Sequence, residues 1–383
     1  MRKNLILVSL DTLRSDVAYS GKFEAIENLR KKGITFLNTV SSSPLTPISH
    51  STVFTGLQPF NHGVRHLFKE QINDNVPTLA EILKKDGYRT GAIVSCPGMN
   101  SWYGHSRGFE HYDDEIPLLA DGTDPLKTVD VKKRGTALKR AELVSERAIN
   151  WVNKNKSDQP FFLFLHFFDA HWPYEAPQKF AGDNIYEEEV AYSAHYFGQF
   201  LNHIEKQGLL ENTTVICFSD HGEDLEGMYS NDKGGEKNGH PEEFGHGCLL
   251  YNQTQKVMLV VCDPDLKKEG VDITDQVRLV DVTPTILELL KIDVANQFDG
   301  SSIVPIIQGK KLQLPAYSET FYPEEQNQAT NNKYPLATNK KSVILDNKYK
   351  VIFNIESNLV EIFDLEKDPN ELKNLLTAYR HEQ

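Results

Sequence analysis

The feature that most constrains this chain is a recurrence. Short, nearly uninterrupted apolar runs, rich in β-branched and aromatic residues, alternate with stretches of helical periodicity. The runs are Asn4 to Leu10, Arg89 to Cys96, Phe161 to Phe167, Thr214 to Ser219 and Val257 to Cys262. Strands look like this when a parallel sheet is covered on both faces. Helical spacing over Phe23 to Lys32, Thr78 to Asp86, Leu138 to Lys154, Glu187 to Gln207 and Asp281 to Leu290 supplies the covers. The predicted fold class is therefore α/β, a layered, mostly parallel sheet flanked by helices. After Gly309 the pattern changes to alternating runs, Ser342 to Leu345, Tyr349 to Asn354 and Leu359 to Leu365, which predicts a small antiparallel sheet. Residues 1–310 then read as the main domain and residues 311–383 as a small C-terminal α+β subdomain packed on it. Two stretches read as irregular, Pro117 to Gly135 and the Gly-rich Gly222 to Gly245. The second is either a flap over a site or a solvated insertion loop.

Composition removes several classes of function. A length of 383 residues with 39% hydrophobic and 25% charged residues is that of a folded protein with a sizeable core. The formal net charge of −13 repels phosphate polymers and anionic lipid, so neither a nucleic-acid polymer nor a membrane surface is the expected partner. The apolar run Leu5 to Leu10 follows Arg2 and Lys3 but is stopped by Asp11, too short for a signal peptide. No run approaches the ~20 apolar residues of a membrane span. Cys96, Cys217, Cys248 and Cys262 are widely spaced and form no CxxC pair, which disfavours a disulfide framework or a zinc ribbon. The expectation is a cytoplasmic protein without a membrane anchor, and a homo-oligomer is compatible with it.

The chemistry-bearing residues cluster where the strands end. Asp11 directly follows the first strand, Asp220 and His221 follow Thr214 to Ser219, and Asp169 and His171 follow Phe161 to Phe167. The crevice beyond the carboxyl ends of strands is where open α/β sheets bind ligands. Any one of these acids could simply cap a helix, but three such positions together are harder to assign to capping. Gly245-His246-Gly247 adds an imidazole in a tight backbone setting. Asp11, Asp169, Asp220, His171, His221 and His246 make an oxygen and nitrogen set suited to Zn²⁺ or Mn²⁺. Two divalent ions would outweigh the three carboxylates and favour an anionic substrate. Thr46, in Leu45-Thr46-Pro47-Ile48-Ser49-His50, is the candidate nucleophile. Thr before Pro is also how a helix begins, with Thr46 at the N-cap and Pro47 at N1. The positive potential of a helix start, with a metal beside it, would favour ionisation of that hydroxyl. His50, one turn on, either hydrogen-bonds the substrate or fixes the loop. His62, Arg65 and His66 contact an anion or solvate a turn; Asp16 pairs with Arg14 or caps a helix; Cys248 reads as a small buried residue, and His240 has no assigned role.

Leu10-Asp11-Thr12-Leu13-Arg14-Ser15-Asp16, Thr46 to Gly56, Phe168 to Tyr174, Ser219-Asp220-His221-Gly222-Glu223 and Gly245-His246-Gly247 occur in an informative order. They resemble the blocks of the sulfatase-like branch of the alkaline phosphatase superfamily, and the likeness extends over nearly the whole chain. The resemblance implies an alkaline phosphatase-like fold and two metal sites. Asp11, Thr46, Asp220 and His221 match the first, and Asp169, His171 and His246 match the second approximately. One departure matters. The family's sulfatases carry a Cys or Ser, in a Cys/Ser-x-Pro-Ser-Arg block, that is oxidised to formylglycine. Here Thr46 stands in that place, Ile48 replaces the Pro and His50 replaces the Arg. Oxidised threonine would be a ketone rather than a readily hydrated aldehyde. Threonine nucleophiles of this superfamily work at phosphorus. The resemblance therefore implies a metal-dependent hydrolase of phosphoester or phosphonate bonds, with a phosphothreonine intermediate and a small anionic phosphorus-containing substrate. A phosphoryl-substituent transferase, a sulfate-ester hydrolase and a catalytically silent binding protein of the same fold are the rival readings.

Overall fold

The computed structural model describes residues 2–118, 121–124, 139–155, 157–176, 180, 182–225, 245–295, 297–321 and 339–376. Most of Pro117 to Gly135 and of Gly222 to Gly245, His240 included, lies outside the described residues. Its centre is a sheet of nine strands: β1 (Asn4–Leu10), β2 (Ile34–Val40), β3 (Arg89–Ile93), β4 (His111–Asp113), β5 (Phe161–Phe167), β6 (Thr213–Phe218), β7 (Lys256–Val257), β8 (Leu259–Cys262) and β9 (Val271–Arg278). From one edge the strands β4, β3, β5, β1 and β6 run parallel, which puts β1 between β5 and β6.

Period-two alternation explains the layers. In β1, Leu5 and Leu7 enter one core, and Ile6, Val8 and Leu10 enter the other. In β5, Phe162 and Phe164 face the first core, while Phe161, Leu163, Leu165 and Phe167 face the second. Each such side chain, wholly buried, contributes about 1.5–3 kcal/mol. Helices Thr46–Thr55, Leu79–Lys85 and Val282–Leu289 cover the first face. Helices Glu24–Lys32, Ala141–Lys154 and Ile185–Lys206 cover the second. The Leu79 helix begins with a capping box, in which Glu81 N–H donates to Thr78 Oγ1 (3.2 Å) and Thr78 N–H donates to Glu81 Oε2 (2.8 Å).

Three expectations need correction. Val257 to Cys262 is not a parallel strand: its second part, β8, runs antiparallel to β6 and to β2, and its first part, β7, runs antiparallel to β2. The apolar run fixes burial on two faces, but direction is set by the partner. Arg89 to Cys96 stops pairing at Ile93, because Pro97 opens a 3₁₀ turn. Thr46 is not an N-cap. The amides of Ile48 and Ser49 donate to Leu45 O (3.1 and 3.0 Å), so Leu45 is the cap and Thr46 the first helical residue.

A second sheet holds β10 (Ala316–Phe321), β11 (Asn339–Leu345), β12 (Tyr349–Asn354) and β13 (Leu359–Asp364), antiparallel in sequence order. Ala316, Ile344, Ile352 and Phe363 pack with Val40 and Leu249 to Tyr251. A wholly buried ion pair, Lys350 to Glu371 at 2.7 Å, stands beside that junction, where Glu371 Oε2 also accepts from Asn252 N–H. Among the described residues no helix is long and apolar enough to cross a membrane.

Candidate active site

The carboxyl ends of β5, β1 and β6 deliver Asp169, Asp11 and Asp220 side by side. Asp11 N–H still donates to Phe167 O (2.9 Å), so its side chain leaves at the rim of the sheet. Thr12 then turns the chain in a left-handed conformation (φ 55), costly for a β-branched residue. Two bonds hold it there: Thr12 N–H donates to Asp220 Oδ1 (3.1 Å), and its hydroxyl donates to Asp11 O (2.8 Å). Asp220 Oδ1 takes a second amide, from His221 (2.9 Å).

What is left over is a pocket crowded with acceptors, with His50 Nδ1 3.5 Å from Asp220 Oδ2 and the Thr46 hydroxyl as the nearby donors. Asp11 Oδ1 and Asp220 Oδ2 are buried with no hydrogen-bond partner. His221 Nδ1–H donates to Gly222 O (3.0 Å), which leaves Nε2 as a lone pair. That lone pair lies 3.3 Å from Asp220 Oδ2 and 4.0 Å from Asp11 Oδ1. Carboxylate oxygens and a lone pair at such distances, out of water, repel one another unless a proton or a cation joins them. Ligating atoms of Asp11, Asp220 and His221 lie within 4.8 Å of one another, so this donor set fits a divalent ion. Burial pushes the Asp11 carboxyl up to about 7.

Thr46 stands at this pocket. Since Leu45 is the cap, no side-chain cap bond consumes its hydroxyl, and Thr46 Oγ1 lies 3.3 Å from His221 Nε2. Every residue of its helix is buried, and Ser51, Thr52 and Thr55 spend their hydroxyls on carbonyls one turn back. His50 is fully engaged: Nδ1–H donates to Thr46 O (2.8 Å) and Nε2 meets Ser9 Oγ (2.9 Å). Burial holds its imidazole neutral, down to about 3. It fixes the first turn under Thr46.

The second set is arranged differently. Asp169 Oδ1 accepts from Ala141 N–H (3.2 Å) and from Arg140 Nη1 (3.4 Å), and Arg140 also bonds Glu189 Oε2 (2.8 Å). His171 stacks on Phe168 with ring centroids 4.1 Å apart, and its Nδ1–H donates to Trp172 O. His246 Nδ1–H donates to Glu223 Oε1 (2.9 Å), and its ring lies 4.2 Å from that of His221 and 4.9 Å from that of His171. The structure thus gathers the three imidazoles and draws Asp169 toward Arg140. Among the described residues, the metal-capable groups are Asp11, Asp220 and His221, and Asp11, Cys96 and His166.

The weaker candidates find partners elsewhere. His62 is buried against Thr52, Arg65 forms a two-pronged pair with Glu319, His66 meets Glu70, and Asp16 pairs with Arg14 as expected. Cys248 is buried, as expected. Sequence reasoning passed over His166 and gave Glu223 no role. His166 is the one polar residue of Phe161 to Phe167, and that break in an apolar run was the available signal. Glu223 is wholly buried, and burial pushes its carboxyl up to about 8.

Comparison with known proteins fits this architecture. The sulfatase family model matches residues 3–292, and the model of the N-sulphoglucosamine sulphohydrolase C-terminal region matches residues 244–383. The Delta 4,5-hexuronate-2-O-sulfatase of Bacteroides thetaiotaomicron is 23% identical over 439 residues, covering 98% of this chain and 84% of that protein. Arylsulfatase K of Bos taurus is 24% identical over 454 residues, covering 98% and 78%. Among solved structures, the phosphonate monoester hydrolase of Agrobacterium radiobacter aligns over 98% of this chain and 92% of its own at 16% identity, with a TM-score of 0.75. With the model spanning most of its length and the strand-end acids in place, the chain belongs to the sulfatase family.

Proposed function

We propose that this protein is a metal-dependent hydrolase of phosphoester or phosphonate bonds that works through a covalent ester of Thr46. The observation that carries the reading is the Thr46 hydroxyl, not used as a cap and 3.3 Å from His221 Nε2, beside the unpartnered oxygens of Asp11 and Asp220. Asp11, Asp220 and His221 would hold a divalent ion, Zn²⁺ or Mn²⁺, with Thr46 beside it. Such an ion supplies positive charge that favours an ionised hydroxyl and an anionic substrate. The chain does the rest. Thr46 Oγ1 bonds to phosphorus as the bond to the leaving oxygen breaks, and water then cleaves the threonine ester. His50 holds the backbone under the nucleophile through Thr46 O. His171 and His246, their Nδ1 protons committed to Trp172 O and Glu223, keep the Nε2 lone pair for a hydrogen-bond donor or for a second ion with Asp169.

Relatives named as sulfatases favour sulfate esters, and the phosphonate monoester hydrolase favours phosphorus. The residue at position 46 supports the phosphorus reading, because a threonine cannot be oxidised to the aldehyde. A panel of chromogenic phosphate monoesters, diesters, phosphonates and sulfates, each assayed with Mn²⁺ and with Zn²⁺, tests the reading. Preference for a phosphorus ester supports it. Faster cleavage of aryl sulfates than of every phosphorus ester by the unmodified protein would overturn it.

A further inference from the structure

One polar side chain inside β5 has a placement that packing alone does not explain. His166 is wholly buried between Leu165 and Phe167, opposite Ser9 of β1 in the parallel register. Both ring nitrogens are engaged. Nδ1 receives the backbone N–H of Ser95 at 3.5 Å and lies 3.1 Å from Ser95 Oγ. Nε2 lies 2.9 Å from Asp11 Oδ2. A backbone amide only donates, so Nδ1 is the acceptor and the ring proton sits on Nε2, from which it is given to Asp11. Around the ring, His50 meets it edge-on at 5.0 Å and Phe168 lies at 6.1 Å, so the imidazole has little room to turn.

The consequence falls on Asp11. A carboxylate on a short stem can present either oxygen, and rotation of its plane costs little. Here Oδ2 is occupied by His166, while Oδ1 has no hydrogen-bond partner and faces His221 Nε2 at 4.0 Å. Partners outside the coordination sphere that fix a ligand in this way are typically worth about 10–100-fold in metal affinity. We infer that His166 is a positioning residue, which holds Asp11 through one N–H so that Oδ1 is the oxygen presented to the ion shared with Asp220 and His221. The inference rests on the proposal that these three residues hold a divalent ion.

Two other roles for His166 are open to the same test. It could be a core filler, in which case phenylalanine, already the commonest residue of β5, should replace it without loss. It could itself be a ligand, since Cys96 completes a group with Asp11 and His166 whose ligating atoms lie within 4.8 Å of one another. The experiment is titration of Mn²⁺ into the chelator-treated full chain by calorimetry, for wild type, His166→Gln and His166→Phe, alongside thermal midpoints without metal. Glutamine brings an amide N–H to about the reach of Nε2; phenylalanine keeps the ring and loses the donor. The expected result is Mn²⁺ affinity near wild type in His166→Gln and weaker by about 10–100-fold in His166→Phe, although the Phe variant is at least as stable as the Gln one. Wild-type affinity in His166→Phe would make the residue a filler and overturn the inference. Equal, severe loss in both variants, accompanied by loss in Cys96→Ser, would make it a ligand and overturn the inference too. A wild type that binds no Mn²⁺ sinks the metal reading and this inference together. Should neither variant fold, ¹⁵N spectra of histidine-labelled wild type decide: the proton must be on Nε2 of His166, and an Nδ1–H tautomer excludes the arrangement.

Discussion

Two groups of residues at the same end of the sheet invite comparison. Asp11 with Asp220 and His221, and Asp169 with His171 and His246, all lie in loops at the same rim. They are provisioned differently. In the first group two carboxylate oxygens and a nitrogen lone pair converge, and the amides of Thr12 and His221 satisfy only the far oxygen of Asp220. In the second, the one carboxylate already accepts from a guanidinium and a helix-start amide. Each acid keeps one buried oxygen without a partner, Asp11 Oδ1, Asp220 Oδ2 and Asp169 Oδ2, and what separates the two groups is the positive charge of Arg140 beside Asp169.

The sharpest way to break the comparison is at Thr46, the proposed nucleophile beside the first group. Thr46→Ala should lower turnover by on the order of 10³-fold or more, since the residue that carries the covalent intermediate is gone. Stability should fall by only about 1 kcal/mol, the worth of a buried hydroxyl, because Leu45 and not Thr46 caps the helix. Near wild-type turnover of a good phosphodiester by that variant would falsify the proposed role. Thr46→Ser should retain measurable activity, and Thr46→Cys gains sulfatase activity only if the cysteine is converted to formylglycine.

Next in size is metal retention. Asp220→Asn should lose the ion, measured as bound metal after gentle purification, whereas Asp169→Asn should keep it and instead lose about 1–3 kcal/mol through the weakened contact with Arg140. If the two variants lose metal alike, the groups are equivalent and two ions are present; anomalous scattering would then show both.

The smallest expected effect lies away from both groups. Burial holds His62 and His105 down to about 3, from an ordinary 6.5. The unfolded chain takes up these protons at higher pH than the folded one. Their contribution to stability is therefore complete above 6.5 and is lost as pH falls toward 3. Within that window each costs about 1.4 kcal/mol per pH unit. His105→Phe, which can stack on Tyr103 as the imidazole does at 5.6 Å, should flatten the acid limb by one proton. Denaturant unfolding at several pH values measures that slope, and an unchanged slope would mean that His105 is not held neutral.

Much of this was legible in the residues. Asn4 to Leu10, Phe161 to Phe167 and Tyr349 to Asn354 are strands with the expected bounds, because continuous or alternating apolar patterns report burial directly. Ile34–Val40 and Val271–Arg278 were not read as strands. Val271–Arg278 carries Asp272, Thr274 and Asp275, so its apolar pattern is broken by polar residues. The reversed direction of β8 was out of reach, since nothing within a strand states which neighbour it meets. Asp11, Asp220 and His221 were legible as departures from apolar runs at their ends. Arg140 was not, because its effect on Asp169 joins the start of one helix to the end of a strand 29 residues on. Thr46 was misplaced by one position because Pro suits either of the first two helical residues.

The order of strands β5, β1 and β6 has a further consequence. Neighbouring strands are spaced about 4.8 Å apart, so the sheet acts as a ruler on which Asp11 and Asp220 occupy adjacent marks and Asp169 lies one mark to the other side. Thr46, the proposed nucleophile, is not on that ruler; it rides on a separate helix that enters from the face of the sheet. Changes at position 46 can therefore exchange one reacting atom for another while the marks stay put. On the proposed reading, a scaffold divided in this way moves between sulfur and phosphorus chemistry by substitutions on a single helical turn.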